Sequence, residues 1–144
     1  MTDFEGQLRA LREQREQAAL TLNRQQARHD IAHADARAAL DRAVTALFAD
    51  LTAQLRACDF PANHSVPRPL PGDRYECRLV LLSTEDYFSC ERHVHGKVHH
   101  VTLGRRQQPL AHLTFADGDE DALHAAARTW VLQVLRTRPT TSGQ

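Results

Sequence analysis

At 144 residues, with 42% hydrophobic and 25% charged side chains, the chain has room for one domain with a modest core, or for a small domain plus an extension. Its 18 basic and 18 acidic residues cancel, so the summed field exerts no pull toward nucleic acid or an anionic membrane. No apolar run approaches a membrane span, the start MTDFEGQLRALREQ lacks the apolar core of a signal peptide, and three cysteines in no metal-binding spacing read as reduced thiols; a cytoplasmic protein is expected.

Residues 1–58 read as a helical, coiled-coil-like region for oligomerisation or docking. Between Gly6 and Pro61 there is neither glycine nor proline, and Ala, Leu, Arg, Gln and Glu dominate. Thr2 and Glu5 fit a capping box. Leu8, Leu11, Ala18 and Leu22 follow one a/d register, and Leu40, Val44, Leu47 and Leu51 follow another that is displaced by one residue. Between them NRQQARHDIAHAD is either a close-packed, Ala-rich middle or the place for a break, so the region reads as one long helix or a helical hairpin. A stripe on one lone helix cannot bury itself. Leu8, Leu11, Leu22, Leu47 and Leu51 are therefore the expected partner-binding anchors, in a homodimer or against another protein.

Residues 59–74, DFPANHSVPRPLPGDR, hold four prolines and a glycine and read as an extended linker. Residues 75–138 then switch to period two. YECRLVLLS, YFSCERHVH, VHHVTL and LAHLTF alternate as three or four strands of an antiparallel meander. DGDEDALHAAARTWVLQVLR follows as a helix packed on one sheet face. Asp117 or Asp119 is positioned to cap it, and Leu123, Ala127, Trp130, Val131 and Val134 form its apolar side. Residues 139–144 read as a disordered tail. The fold class is α+β.

HVHGKVHH, at residues 93–100, concentrates four of the nine histidines. Two-residue turns at Thr84-Glu85 and Gly96-Lys97 would pair Leu81 with Phe88 and His93 with His100. Cys77, Leu79, Leu81, Phe88, Cys90, Val94, Val101 and Leu103 would then share a core face with Tyr75. His99 would sit at that face's edge. On the other face, Glu76, His93 and His100 would form one row, Cβ atoms about 5 Å apart between neighbours. Two histidines and a carboxylate are a sufficient protein set for zinc or iron with open positions left over. A solvated or partner-facing histidine row is the simpler reading. Val80, Leu82 and Tyr87 on that same face make it half apolar, which points to a surface that another element or protein covers.

His29 and His33, spaced i and i+4 in HDIAH, lack the adjacent glutamate of a metalloprotease helix. The helical arginines alternate with acids, which suits a salt-bridged surface rather than a phosphate-tracking arm. The order α-β-β-β-α is also that of double-stranded RNA-binding domains, but here the last helix opens on acids that repel phosphate. No glycine-rich phosphate loop and no nucleophile-elbow pattern is present. The expectation is a non-enzymatic interaction or adaptor protein, oligomeric through its N-terminal helix. The alternative is a metal-binding enzyme or sensor built on Glu76, His93 and His100. A weaker one is an accessory nucleic-acid binder.

Overall fold

A computed structural model describes residues 2–137 of the chain, without the side chain of Thr2. The Thr2 capping box and the tail expected at residues 139–144 lie outside the described residues. Helix α1 spans Thr2–Leu40, a single π-turn follows at Asp41–Thr45, and α2 spans Ala46–Ala57. Six strands come next: β1 Ala62–His64, β2 Arg68–Leu70, β3 Arg74–Leu81, β4 Asp86–His93, β5 Val98–Arg105 and β6 Gln108–Ala116. Helix α3, Glu120–Thr137, ends the described chain. The fold is α+β, with more strands than the three or four expected.

Two compact units divide at Ala34/Asp35 rather than near residue 58. The first is the helix through Ala34. The second holds the remainder of α1, the π-turn, α2, the sheet and α3.

Of the two expected forms, a long helix and a helical hairpin, the structure has the long helix, with no break within NRQQARHDIAHAD. The helix runs through it to Leu40, and the π-turn follows at Asp41–Thr45. A π-turn bonds i to i+5 and so absorbs one residue more than an α-turn. Leu40 before this turn, Val44 within it, and Leu47, Leu51 and Leu55 after it all face the second unit's core. His124 of α3 secures this irregular turn, its Nε2 donating to the Ala43 carbonyl at 2.7 Å.

The sheet order is β1-β3-β4-β5-β6, with β2 also pairing β3. The expected linker is thus partly sheet: β1 pairs with residues 79–81 and β2 with residues 74–76. Proline is tolerated on an edge strand because no ladder hydrogen bond is asked of its nitrogen. Between the two short strands Ser65 bridges to β3, its amide donating to the Arg78 carbonyl and its hydroxyl accepting from the Arg78 amide.

Both hairpin registers differ from the expected ones by two residues. Leu81 pairs with Asp86 and Leu79 with Phe88; Glu91, not His93, pairs with His100. The β3–β4 connection therefore has four residues, with Glu85 in the left-handed region at φ +62°. A slip of two leaves every side chain on its original face. Cys77, Leu79, Leu81, Phe88, Cys90 and Val101 accordingly form the core as expected, with Tyr75 and Leu103 partly buried beside them. At its centre Phe88 meets Phe48 of α2 edge-on, with ring centroids 5.8 Å apart, and Trp130 of α3 at 5.6 Å. Each such fully buried aromatic or leucine is worth about 1.5–3 kcal/mol.

The segment GRRQQP is not a long loop. Arg106 and Gln107, at φ +53° and +68°, make a tight two-residue turn between β5 and β6. Two left-handed residues match the strand twist of a type I′ hairpin, a turn normally announced by Asn-Gly.

Candidate functional site

The helix through Ala34 has an unusual surface. Every residue from Asp3 to Ile31 is exposed. Phe4, Leu8, Leu11, Ala18 and Leu22 recur at alternating four- and three-residue spacings, and Leu22 is 65% exposed. Arg15, Gln25 and His29 occupy the remaining stripe positions. The ring centroids of His29 and His33 lie 4.3 Å apart. Two of the expected anchors are not part of this surface. Leu47 and Leu51 are buried in the chain's own core and do not belong to the exposed stripe.

The outer sheet face, away from α2 and α3, is buried around Glu76, Tyr87 and Ser89, while Leu82, His93, His112 and Thr114 are exposed. Tyr87, expected as a partner contact, is buried. Its ring packs against Gly104, where a Cβ would fall 2.2 Å from the tyrosine Cζ, and the Arg78 guanidinium carbon stands 4.4 Å from the ring centre. Val80 is half-buried, and Leu82 alone of the three is exposed.

Glu76 is buried on this face and fully engaged. Arg68 Nη2 donates to Oε1 at 2.6 Å, Ser89 Oγ to Oε2 at 2.6 Å, and Arg78 Nη2 to Oε2 at 3.1 Å. Burial pushes its carboxyl upward, but the hydrogen bonds from Ser89 and Arg68 and the charges of Arg78 and Arg68 outweigh this and hold it below the ordinary value. The expected row Glu76–His93–His100 becomes Glu76–Glu91–His100 by the two-residue register difference. His93 faces Arg74 instead, and Glu91 is ion-paired to Arg74 at 2.9 Å. The His93 and His100 rings still meet on the diagonal, with centroids 5.1 Å apart and edge-to-face. His112 joins the same face opposite Thr102, with Nδ1 3.2 Å from the threonine hydroxyl.

The helix-covered face holds a group that the sequence did not bring together. Tyr75, Arg92, His99 and Phe115 form one cross-strand row from β3 to β6. Arg92 and His99 are charged or polar residues at core-face positions, 6% and 1% exposed. Arg92 donates through both guanidinium ends to the Asp117 carboxylate, Nη2 to Oδ2 at 2.9 Å. Asp117 therefore serves the sheet rather than capping α3. His99 Nε2 lies 3.7 Å from Asp117 Oδ1, and neither ring nitrogen has a hydrogen-bond partner. Glu120, the first residue of α3, brings its carboxylate to the same corner. Desolvation, then the Arg92 charge, lowers the His99 pKa, so the ring stays neutral near pH 7. The signal in the sequence was parity: Arg92 and His99 alternate in phase with Phe88, Cys90 and Val101.

Two apolar surfaces remain. A groove of about 300 Å³ runs between α2 and α3, lined by Leu51, Leu55, Phe60, Val131, Leu132 and Leu135. Strand β6 forms a sheet edge, carries no charged residue, and exposes Leu110 and Leu113. No helix is long and apolar enough to cross a membrane among the described residues. Comparison with known protein families, with curated proteins and with solved structures found no match for this chain.

Proposed function

We propose that this is a non-enzymatic interaction protein that pairs with a second copy of itself through α1. The observation that carries this reading is the exposed stripe of Phe4, Leu8, Leu11, Ala18 and Leu22 on a helix about 50 Å long through Ala34. A helix of that length with no buried face gains nothing from packing, and most helical stability in proteins comes from packing. The stripe's spacing is that of a two-stranded coiled coil.

Charge selects the direction of pairing. In a parallel, in-register dimer Arg15 would meet the partner's Arg15 inside the interface. An antiparallel pair removes that clash. With Leu11 opposite the partner's Leu22, Arg15 falls opposite the partner's Ala18, and Phe4 opposite the partner's His29. The long arginine stem then covers a small residue while its head reaches water. Residues 35–137 carry their own core and remain free to engage whatever the assembly recruits.

Sedimentation equilibrium of the full chain and of a Leu8→Glu/Leu22→Glu variant tests the reading. The expected outcome is a dimer mass for the first and a monomer mass for the second, with the sheet's circular dichroism unchanged. A wild-type monomer, or a variant of undiminished mass, overturns it.

A further inference from the structure

We propose that His99, Asp117 and Glu120 form a binding site for one divalent cation of the zinc type. The proposal is independent of α1 pairing and lies apart from the histidine pair on the outer sheet face.

Geometry is the first support. One ligand atom from each of the three residues lies within 4.8 Å of the other two, which is close enough for small side-chain rotations to bring all three onto a single ion. The three come from β5, from the residue after β6 and from the first turn of α3, so the fold converges on this corner from three elements. Imidazole nitrogen and carboxylate oxygen are both zinc ligands, and three protein donors leave a further position to water.

The second support is His99 itself. It is 1% exposed, and both its nitrogens are buried without a hydrogen-bond partner. A buried polar group left unsatisfied costs roughly 1–3 kcal/mol. The neighbours on its own row do not relieve this: Arg92 is a donor that turns to Asp117, and Phe115 is apolar. Nε2 lies 3.7 Å from Asp117 Oδ1, on the side where the two carboxylates converge.

Arg92 has a defined part in such a site. It fixes the Asp117 carboxylate in orientation, as outer-shell partners of metal-binding carboxylates do. A carboxylate has about four lone-pair sites, so two guanidinium hydrogen bonds leave room for an ion. With Asp117 and Glu120 each at −1, Arg92 at +1 and His99 neutral, the corner carries one net negative charge. The positive charge of Arg42 also acts on Asp117. The site is therefore expected to bind a divalent ion reversibly rather than as a permanent structural core.

Calorimetric titration of zinc chloride into the metal-free full chain tests the proposal, with elemental analysis of the loaded protein. One ion per chain is expected. Glu120→Gln, at a half-buried helix-start position, should weaken binding more than ~10-fold, since even outer-shell partners are worth that much. His99→Gln should abolish it, and His93→Ala with His100→Ala should leave it intact. Zinc should also shift the His99 ring nitrogens in long-range ¹H–¹⁵N spectra. Absence of saturable binding overturns the proposal. So does binding indifferent to Glu120→Gln, or binding lost only when His93 and His100 are changed. If His99→Gln does not fold, Glu120→Gln and the ring spectra decide.

Discussion

Tyr87 packs its ring against the bare backbone of Gly104, one strand over. With Arg78 above the ring, this part of the outer sheet face is buried within the chain itself. The glycine is required by contact, not by backbone conformation. Gly104→Ala should destabilise the protein by about 1–3 kcal/mol, the usual cost of overpacking. Tyr87→Ala should cost a comparable amount, and the double variant less than the sum. Urea unfolding of the four proteins measures this.

Glu76 links stability to acid. Its folded-state pKa lies below the ordinary 4.5. A depressed carboxyl contributes stability that is fully present above the unfolded value and is lost as pH falls through the folded one. Wild-type stability should therefore drop below about pH 4.5. Glu76→Gln should be less stable at pH 7 and show a shallower acid dependence. Thermal melts across pH 3–7 (roughly the carboxyl range) compare the two.

The leucines of the two registers should behave oppositely. Glutamate at Leu47 or Leu51 puts a charge in the core, and even truncation to alanine costs about 2–5 kcal/mol there. Those variants should unfold residues 35–137. Glutamate at Leu8 or Leu22 should change only the mass. Circular dichroism and sedimentation on the same samples separate the two effects.

Antiparallel pairing predicts a cross-linking pattern. In a Cys58→Ser background, which removes the exposed native thiol, Leu11→Cys mixed with Leu22→Cys should give a disulfide heterodimer under mild oxidation. Leu11→Cys alone should not. A parallel dimer would give the reverse, read directly on a non-reducing gel.

The native thiols provide a check on the core. Burial pushes Cys77 up to about 11, against a weak opposing hydrogen bond from Thr45, and burial also raises Cys90. Cys58 is exposed. A disulfide reagent at pH 8 (about the range where an ordinary thiol begins to ionise) should label one thiol per native chain and three after denaturation.

How much of this was legible in the sequence follows from what each signal encodes. Alternation along residues 75–103 assigned Cys77, Leu79, Phe88, Cys90 and Val101 to one face, since side-chain direction in a strand depends only on parity. The leucine spacing marked α1 and the one-residue slip, and composition marked α3 with its Leu123, Trp130 and Val131 face. Tertiary structure decided the rest. Which residues face one another depends on loop length, and four-residue turns at 82–85 and 94–97 moved Glu91 into the place expected for His93, between Glu76 and His100. Parity cannot detect a slip of two. The leucine spacing left one helix or two open, and only packing against the sheet and α3 decided that Leu47 and Leu51 face inward. The prolines at Pro67 and Pro69 exclude helix but not an edge strand. The meeting of His99, Asp117 and Glu120 required α3 to return to the sheet, a long-range packing event with no local sequence signature.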